Sequence, residues 1–267
     1  MYPPNWILFA LPPGEDGRIR RGALAWYLVA IHALAALFAY RLCRDLKLAR
    51  APAAFGAMFF SLGGYLGSTD WPQMLNGAVW APLVLLFQLR VARGERPWRS
   101  AALAGFFLGV AWLAGHHQIP VFLSLAAGGV WLWILLTRPP RRRGAALIAL
   151  SAALAFSTAA AQLLPAREYA RRAVRWVGVE QPLTAQEKVP YLVHERFSLK
   201  ATSLAGIVLP GAYEHSNPHT GAAVLVAALA ALALAWRVAE VRVFFWIALG
   251  GLLLSLGSQG FLHGMLY

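Results

Sequence analysis

Basic residues occupy every second joint between the apolar blocks of this chain. Blocks 22–40, 51–69, 71–89, 100–137, 144–166, 215–236 and 243–267 contain no Asp, Glu, Lys or Arg. The joint after the first block carries Arg41, Arg44, Lys47 and Arg50, and the next, Gly67 to Leu75, carries no basic residue. Arg90, Arg93, Arg96 and Arg99 follow, then Gly115-His116-His117-Gln118 with none, then Arg138, Arg141, Arg142 and Arg143. A hydrocarbon core about 30 Å thick takes about 20 apolar residues per helix. Lys and Arg in short joints are retained on the cytoplasmic side. Together these patterns predict a multi-pass membrane protein whose Arg-free joints face out.

Within lipid the backbone must satisfy its own hydrogen bonds, so the blocks read as helices. The expected fold is all-α, a polytopic membrane helix bundle with about eight spans: 22–43, 51–67, 74–91, 100–114, 119–136, 144–164, 221–236 and 243–258. Block 100–137 is nearly twice a span and should fold back around Gly115–Gln118. Three regions follow: transmembrane helices over 1–164 with an interfacial N-terminal segment, an extracytoplasmic loop over 165–220, and further transmembrane helices over 221–267. Trp6–Leu11 is too short to span, is closed by Pro12-Pro13-Gly14, and reads as re-entrant or interfacial. No cleavable leader pattern precedes it. Pro82 and Pro120 suit first helical turns or kinks. Gly105 and Gly109, Gly128 and Gly129, and Gly250 and Gly251 would permit close helix contacts.

The formal net charge of +13 would suggest nucleic acid in a soluble protein, but here most of the Arg lies in joints that topology already explains. Only 13% of residues are charged, against about 25% in an average soluble domain. The expected partners are membrane lipids rather than nucleic acid. The lone Cys43 excludes a disulfide framework or a Cys-pair metal site within the chain. No His-Glu-x-x-His, EF-hand run, phosphate loop or nucleophile elbow is present, and no metal-ligating set is assigned.

Groups able to move protons gather on the expected outer side: Asp70, Glu168, Glu180, Glu187, Glu195 and Glu214, with His116, His117, His194, His215, His219 and His263. Only His32 falls within a span, where it reads as a satisfied interior residue. The start of the long loop, Pro165 to Trp176, continues the sixth span as an amphipathic helix. Arg167, Arg171 and Arg175 then recur at i, i+4 and i+8 on one face, and Glu168 can pair with Arg172. That Arg row suits a phosphate or pyrophosphate, because guanidinium offers paired donors to its oxygens. It equally suits lipid head-group anchoring, with Trp176 as an interfacial residue. Asp70 is a candidate base or metal ligand, or the cap of the following helix. His116 and His117, adjacent at a hairpin tip, should face different ways and make hydrogen bonds rather than share a metal.

Several phrases resemble the YfhO family of bacterial membrane proteins. They are Tyr2-Pro-Pro-Asn-Trp-Ile-Leu-Phe-Ala-Leu-Pro, Trp80-Ala-Pro-Leu-Val-Leu-Leu, Ala114-Gly-His-His-Gln-Ile-Pro, Gln162-Leu-Leu-Pro-Ala-Arg-Glu, Leu209-Pro-Gly and Leu256-Gly-Ser-Gln-Gly-Phe-Leu-His-Gly-Met-Leu-Tyr267. The resemblance implies a GT-C glycosyltransferase-like architecture in the bacterial inner membrane. It also implies transfer of a sugar from a polyprenyl-phosphate donor to an envelope polymer or lipid acceptor outside the cytoplasm. In such a reaction an acid activates the acceptor or orients a divalent metal, while cations hold the lipid phosphate. In that family the Tyr-Pro-Pro-Asn-like phrase follows a first span and an acid-bearing outer loop, so 1–267 corresponds to an internal portion. No family catalytic residue has a counterpart here. The candidates are this chain's own: Asp70 and Glu168 for acid–base work, and Arg167, Arg171, Arg175, His116 and His117 for binding. Two other readings stand beside the transferase: a non-catalytic membrane scaffold or fragment, and a lipid or solute transporter, which would need polar groups at mid-membrane.

Overall fold

The computed structural model describes residues 2–69, 71–138, 140–178, 180–184, 186–191, 193, 196, 198–212 and 217–260. Within these the regular structure is all helical, joined by turns and irregular loops, apart from one isolated antiparallel bridge, Arg175 to Leu183. It divides into two compact units, Met1–Leu163 and Leu164–Tyr267.

The first unit contains α1 (Trp6–Ala10), α2 (Arg21–Asp45), α3 (Arg50–Leu62), α4 (Gly64–Ser68), α5 (Pro72–Ala78), α6 (Ala81–Ala92), α7 (Pro97–Trp112), α8 (Gln118–Thr137) and most of α9 (Arg141–Arg172). Four stretches are long and apolar enough to cross a membrane: Arg21–Asp45, Pro72–Ala92, Gln118–Thr137 and Arg141–Arg172. They mark a membrane-protein helix bundle. Each of the other expected spans is also helical, but shorter. α3 has 13 residues, α7 has 16, and in the second unit α10 (Ala222–Ala235) has 14 and α11 (Ala239–Ser255) has 17. At 1.5 Å per residue, 14 residues reach only about 21 Å. Block 51–69 breaks at Gly63, where a Cβ would stand 2.2 Å from the Phe59 carbonyl oxygen. Only glycine fits that corner.

α6 is the centre of the first unit, packing on α2, α7 and α8. Its Leu83, Val84, Leu86, Gln88 and Leu89 are all buried. Trp80 stacks on Phe107 with ring centres 5.6 Å apart, and Phe87 stacks on the same ring at 5.7 Å. The outward faces stay apolar. Trp26 on α2 is 75% exposed and Leu132 on α8 56%, which in water would be a liability and in lipid is the expected state. α7 and α9 approach most closely at glycine. A Cβ on Gly105 would lie 2.1 Å from the Ser151 carbonyl oxygen, and one on Gly109 2.5 Å from Thr158 Cβ. Among the described residues Gly128, Gly129, Gly250 and Gly251 meet nothing within 4 Å, so of the three pairs the first alone makes a close contact there.

Pro82 lies in the first turn of α6 and Pro120 is buried in that of α8. The fold-back in 100–137 occurs where expected: α7 ends at Trp112, Gly115 takes φ +91°, and α8 starts at Gln118. Two Arg-rich joints use one turn device. Lys47 and Gly94 adopt left-handed backbone, and the next amide bonds back to the helix (Leu48 N–H to Cys43 O, 3.2 Å; Glu95 N–H to Arg90 O, 2.9 Å). These bonds satisfy carbonyls that the helix end leaves open.

In the second unit α10 and α11 form a hairpin, with Trp236 edge-on to Phe245 at 5.2 Å. A 3-10 turn, Ala201–Ile207, precedes them. Thr220 and Gly221 donate to the Ile207 carbonyl, and Leu199 N–H donates to Ser255 O at 2.8 Å. Gly257, with φ +51°, packs on Ser198 so tightly that a Cβ would fall 2.1 Å from its Oγ.

Candidate functional site

The first unit has two chemically different ends. At one, Asp45 at the foot of α2 is gripped by Arg90 and Arg93 from the end of α6. Arg90 Nη2 stands 2.5 Å from Asp45 Oδ1, Arg93 Nη2 bonds Oδ2, and Arg93 Nε also donates to Glu95 Oε1 at 2.7 Å. The Asp45 side chain is 8% exposed. A buried carboxylate requires such partners. The C-terminal ends of α2 and α6 are therefore level, and the Arg41–Arg50 and Arg90–Arg99 joints share one end of the bundle.

At the other, Trp71 meets His116 edge-on with ring centres 6.1 Å apart. The two Arg-free joints therefore share an end too. His116 and His117 stack in parallel, 5.6 Å between centres and 5° between planes. This corrects the expectation that adjacent histidines point apart. That rule holds on a helix, but His116 lies in the turn and His117 is the N-cap of α8. His116 Nδ1 is buried without a hydrogen-bond partner among the described residues. Burial holds the His116 imidazole below its ordinary pKa, and the neighbouring His117 adds to the effect.

Just inside this end lies a polar network that sequence reading missed. The Tyr27 hydroxyl, with one proton to donate, lies 2.6 Å from Asn5 Oδ1 and 2.9 Å from Asn76 Oδ1, and Asn76 Nδ2 donates to Asn5 Oδ1 (3.2 Å). Trp80 Nε1 donates to the Tyr2 hydroxyl at 3.0 Å, and Tyr2 packs on Val110, Leu113 and Ala114. The N-terminal segment is thus clamped to the bundle, with Leu8 inside the core beside Tyr27 and Leu75. The segments holding Tyr2 and Asn5, Trp80, and Ala114 meet here. His32 is the interior residue it was expected to be, with Nδ1 2.9 Å from Leu28 O and Nε2 3.3 Å from Leu66 O.

The second unit carries the remaining candidates. α9 does run on past the apolar block, with Pro165 inside it, but it stops at Arg172. Arg167 and Arg171 keep their place on its exposed last turns. Glu168 bonds Arg172 at 3.3 Å, both largely exposed, a pair of small energetic weight. Arg175 does not continue the row. Its backbone pairs with Leu183, and its guanidinium donates to the Thr184 and Glu187 carbonyls at 3.1 and 2.8 Å. Glu187 in turn accepts from the Thr184 amide and hydroxyl, which hold its carboxyl below the usual range with help from the Arg175 charge. Arg175 is a loop-ordering residue in this arrangement, not a third finger of the Arg face.

Asp70 lies outside the described residues, as do His194, Glu195, Glu214, His215 and His263. Among the described residues no three His, Cys, Asp or Glu side chains gather as metal ligands would. Comparison with known proteins returns no matching family model, no matching curated protein and no matching solved structure.

Proposed function

We propose that this chain is a GT-C-like membrane glycosyltransferase of the bacterial cytoplasmic membrane, or a part of one. It would move a sugar from a polyprenyl-phosphate donor to an envelope acceptor on the outer side. The observation that supports the reading is the sorting of charge between the two ends of the first unit. Paired and unpaired Arg occupy one end, while imidazole and aromatic side chains occupy the other. A transferase working on lipid-linked sugar at the outer surface needs such an Arg-poor end, and the positive-inside rule places that end outside. About eight spans, four of full length and four short, accompany this reading.

The transfer joins an acceptor oxygen to the anomeric carbon as the bond from that carbon to the lipid phosphate breaks. The bonding electron pair goes to that phosphate oxygen, polyprenyl phosphate is the leaving group, and the acceptor's proton passes to a base. Arg167 and Arg171, exposed and one helical turn apart, suit the leaving phosphate. Glu168, between them in sequence, is the available carboxylate among the described candidates, and Asp70 is the other acid proposed. No step is assigned to a divalent ion, because the described residues offer no donor set for one.

The test is titration of the purified chain with an undecaprenyl-phosphate-sugar analogue. Arg167→Ala and Arg171→Ala should each weaken binding about tenfold or more, from the loss of a charge-assisted bond of about 1.5–3 kcal/mol. Unchanged affinity in both variants would defeat the phosphate role and leave the scaffold reading.

A further inference from the structure

At the Arg-rich end of the first unit, a cavity of about 630 Å³ opens between the end of α2, the end of α6 and the start of α7. Arg41, Arg96 and Arg99 line it, with Arg90 and Glu95. The charges do not cancel. Glu95 lies against Arg90 and Arg93, and Asp45 is taken by the same two arginines. Arg41, Arg96 and Arg99 are exposed and have no carboxylate partner among the described residues. The positive-inside rule asks only that basic residues sit in the joint. It does not ask that those from two joints, 41 and 96–99, converge on one cavity.

The local backbone reinforces the arrangement. Arg96 holds a left-handed conformation, φ 44°, at the N-cap of the 16-residue α7, so the start of that helix faces the same region. Ser100 Oγ donates to the Glu95 carbonyl at 2.8 Å, fixing the turn that carries Arg96 and Arg99. Phe87 and Leu103 add apolar surface to the lining, and the Arg90 guanidinium lies 5.6 Å over the Phe87 ring. Three uncancelled guanidinium groups beside apolar side chains, at the membrane end of a helix bundle, match an amphiphile with an anionic phosphate head.

We infer that the Arg41–Arg96–Arg99 cavity binds the phosphate of an anionic phospholipid, separately from any donor-lipid site. The inference stands on the cavity's own charge and does not depend on the transferase reading.

The full chain, purified in a zwitterionic detergent, is titrated with short-chain phosphatidylglycerol, short-chain phosphatidylcholine and inorganic phosphate, with binding read by native mass spectrometry and by thermal shift. Phosphatidylglycerol should bind and raise the melting temperature, phosphatidylcholine should not, and inorganic phosphate should bind more weakly. Arg41→Gln with Arg99→Gln should weaken phosphatidylglycerol roughly thirtyfold, taking about fivefold per basic residue. The control, Arg141→Gln with Arg142→Gln, removes equal charge from the start of α9 outside the cavity and should leave affinity within about twofold. Equal losses in the two double variants would reduce the effect to general electrostatics and overturn the site. Inorganic phosphate binding as well as phosphatidylglycerol would overturn the lipid assignment. Absence of phosphatidylglycerol binding by the wild-type chain would overturn the inference outright.

Discussion

Replacing Gly105 with alanine should destabilise the first unit, although alanine is the better helix former. The added Cβ would lie 2.1 Å from the Ser151 carbonyl oxygen and 2.8 Å from its carbon, where ordinary contact begins near 3.4 Å. The obstacle is backbone, so no rotamer change relieves it. α7 and α9 must part by about 1 Å, and a gap of that size forfeits a quarter to a half of each contact's dispersion energy. Overpacking of this kind costs about 1–3 kcal/mol, with the backbone clash favouring the upper end. The helix-propensity gain of Gly→Ala, about 1 kcal/mol, offsets part of it. The net expectation is a loss of about 1–2 kcal/mol, or roughly five- to thirtyfold in the folding equilibrium. Gly128→Ala is the matched control, since its Cβ meets open space, and it should be neutral or slightly stabilising. Reversible unfolding in mixed micelles measures both. Equal stability of the two variants would refute the close α7–α9 approach.

Asp45→Asn should cost about 2–4 kcal/mol in the same assay, because it strips two guanidinium groups of their buried counter-charge; a change under about 0.5 kcal/mol would show that the ion cluster is incidental. Gln88 is fully buried and donates to Ala127 O at 3.0 Å, but its Oε1 has no partner among the described residues. Gln88→Leu should therefore stay within about 1 kcal/mol of wild type, while Gln88→Glu should lose more than about 2 kcal/mol at neutral pH; the reverse order would contradict the assignment of that buried oxygen. The lowered pKa of Glu187 gives a pH signature to the 175–187 loop. Its contribution is complete above the ordinary carboxylate value and is lost as pH falls through the lower folded value. The Thr184 amide resonance should titrate at that lower midpoint and stop titrating in Glu187→Gln; a midpoint at or above the ordinary glutamate value would remove the Thr184 bonds from the account.

Helical blocks, their order and the fold-back at Gly115 were legible because block length, charge-free composition and joint chemistry are local in sequence. The level ends of α2 and α6 were legible through the alternation of Arg. Contacts between distant residues were not. Asn5, Tyr27 and Asn76 are polar singletons in separate segments, and nothing local says that one hydroxyl will join two amides. Gly105 with Gly109 looks like Gly128 with Gly129 until the neighbouring helix is in place. Arg175 sits at helical spacing from Arg171, yet pairing with Leu183 and Thr184 draws it out of the row. The stacking of His116 on His117 was misjudged because a helix rule was applied to a turn. Residues 51–67 read as one span, and the break at Gly63 follows from a corner that only the three-dimensional path reveals.

The central claim is that the two ends of the first unit lie on opposite sides of a bilayer. Single cysteines at Ser68 and His117, and at Glu95 and Arg141, are introduced into a Cys43→Ser background and exposed to a membrane-impermeant thiol reagent on intact spheroplasts. The claim predicts labelling of the first pair directly and of the second only after permeabilisation. Labelling of positions 95 and 141 in intact cells, with 68 and 117 protected, would contradict it.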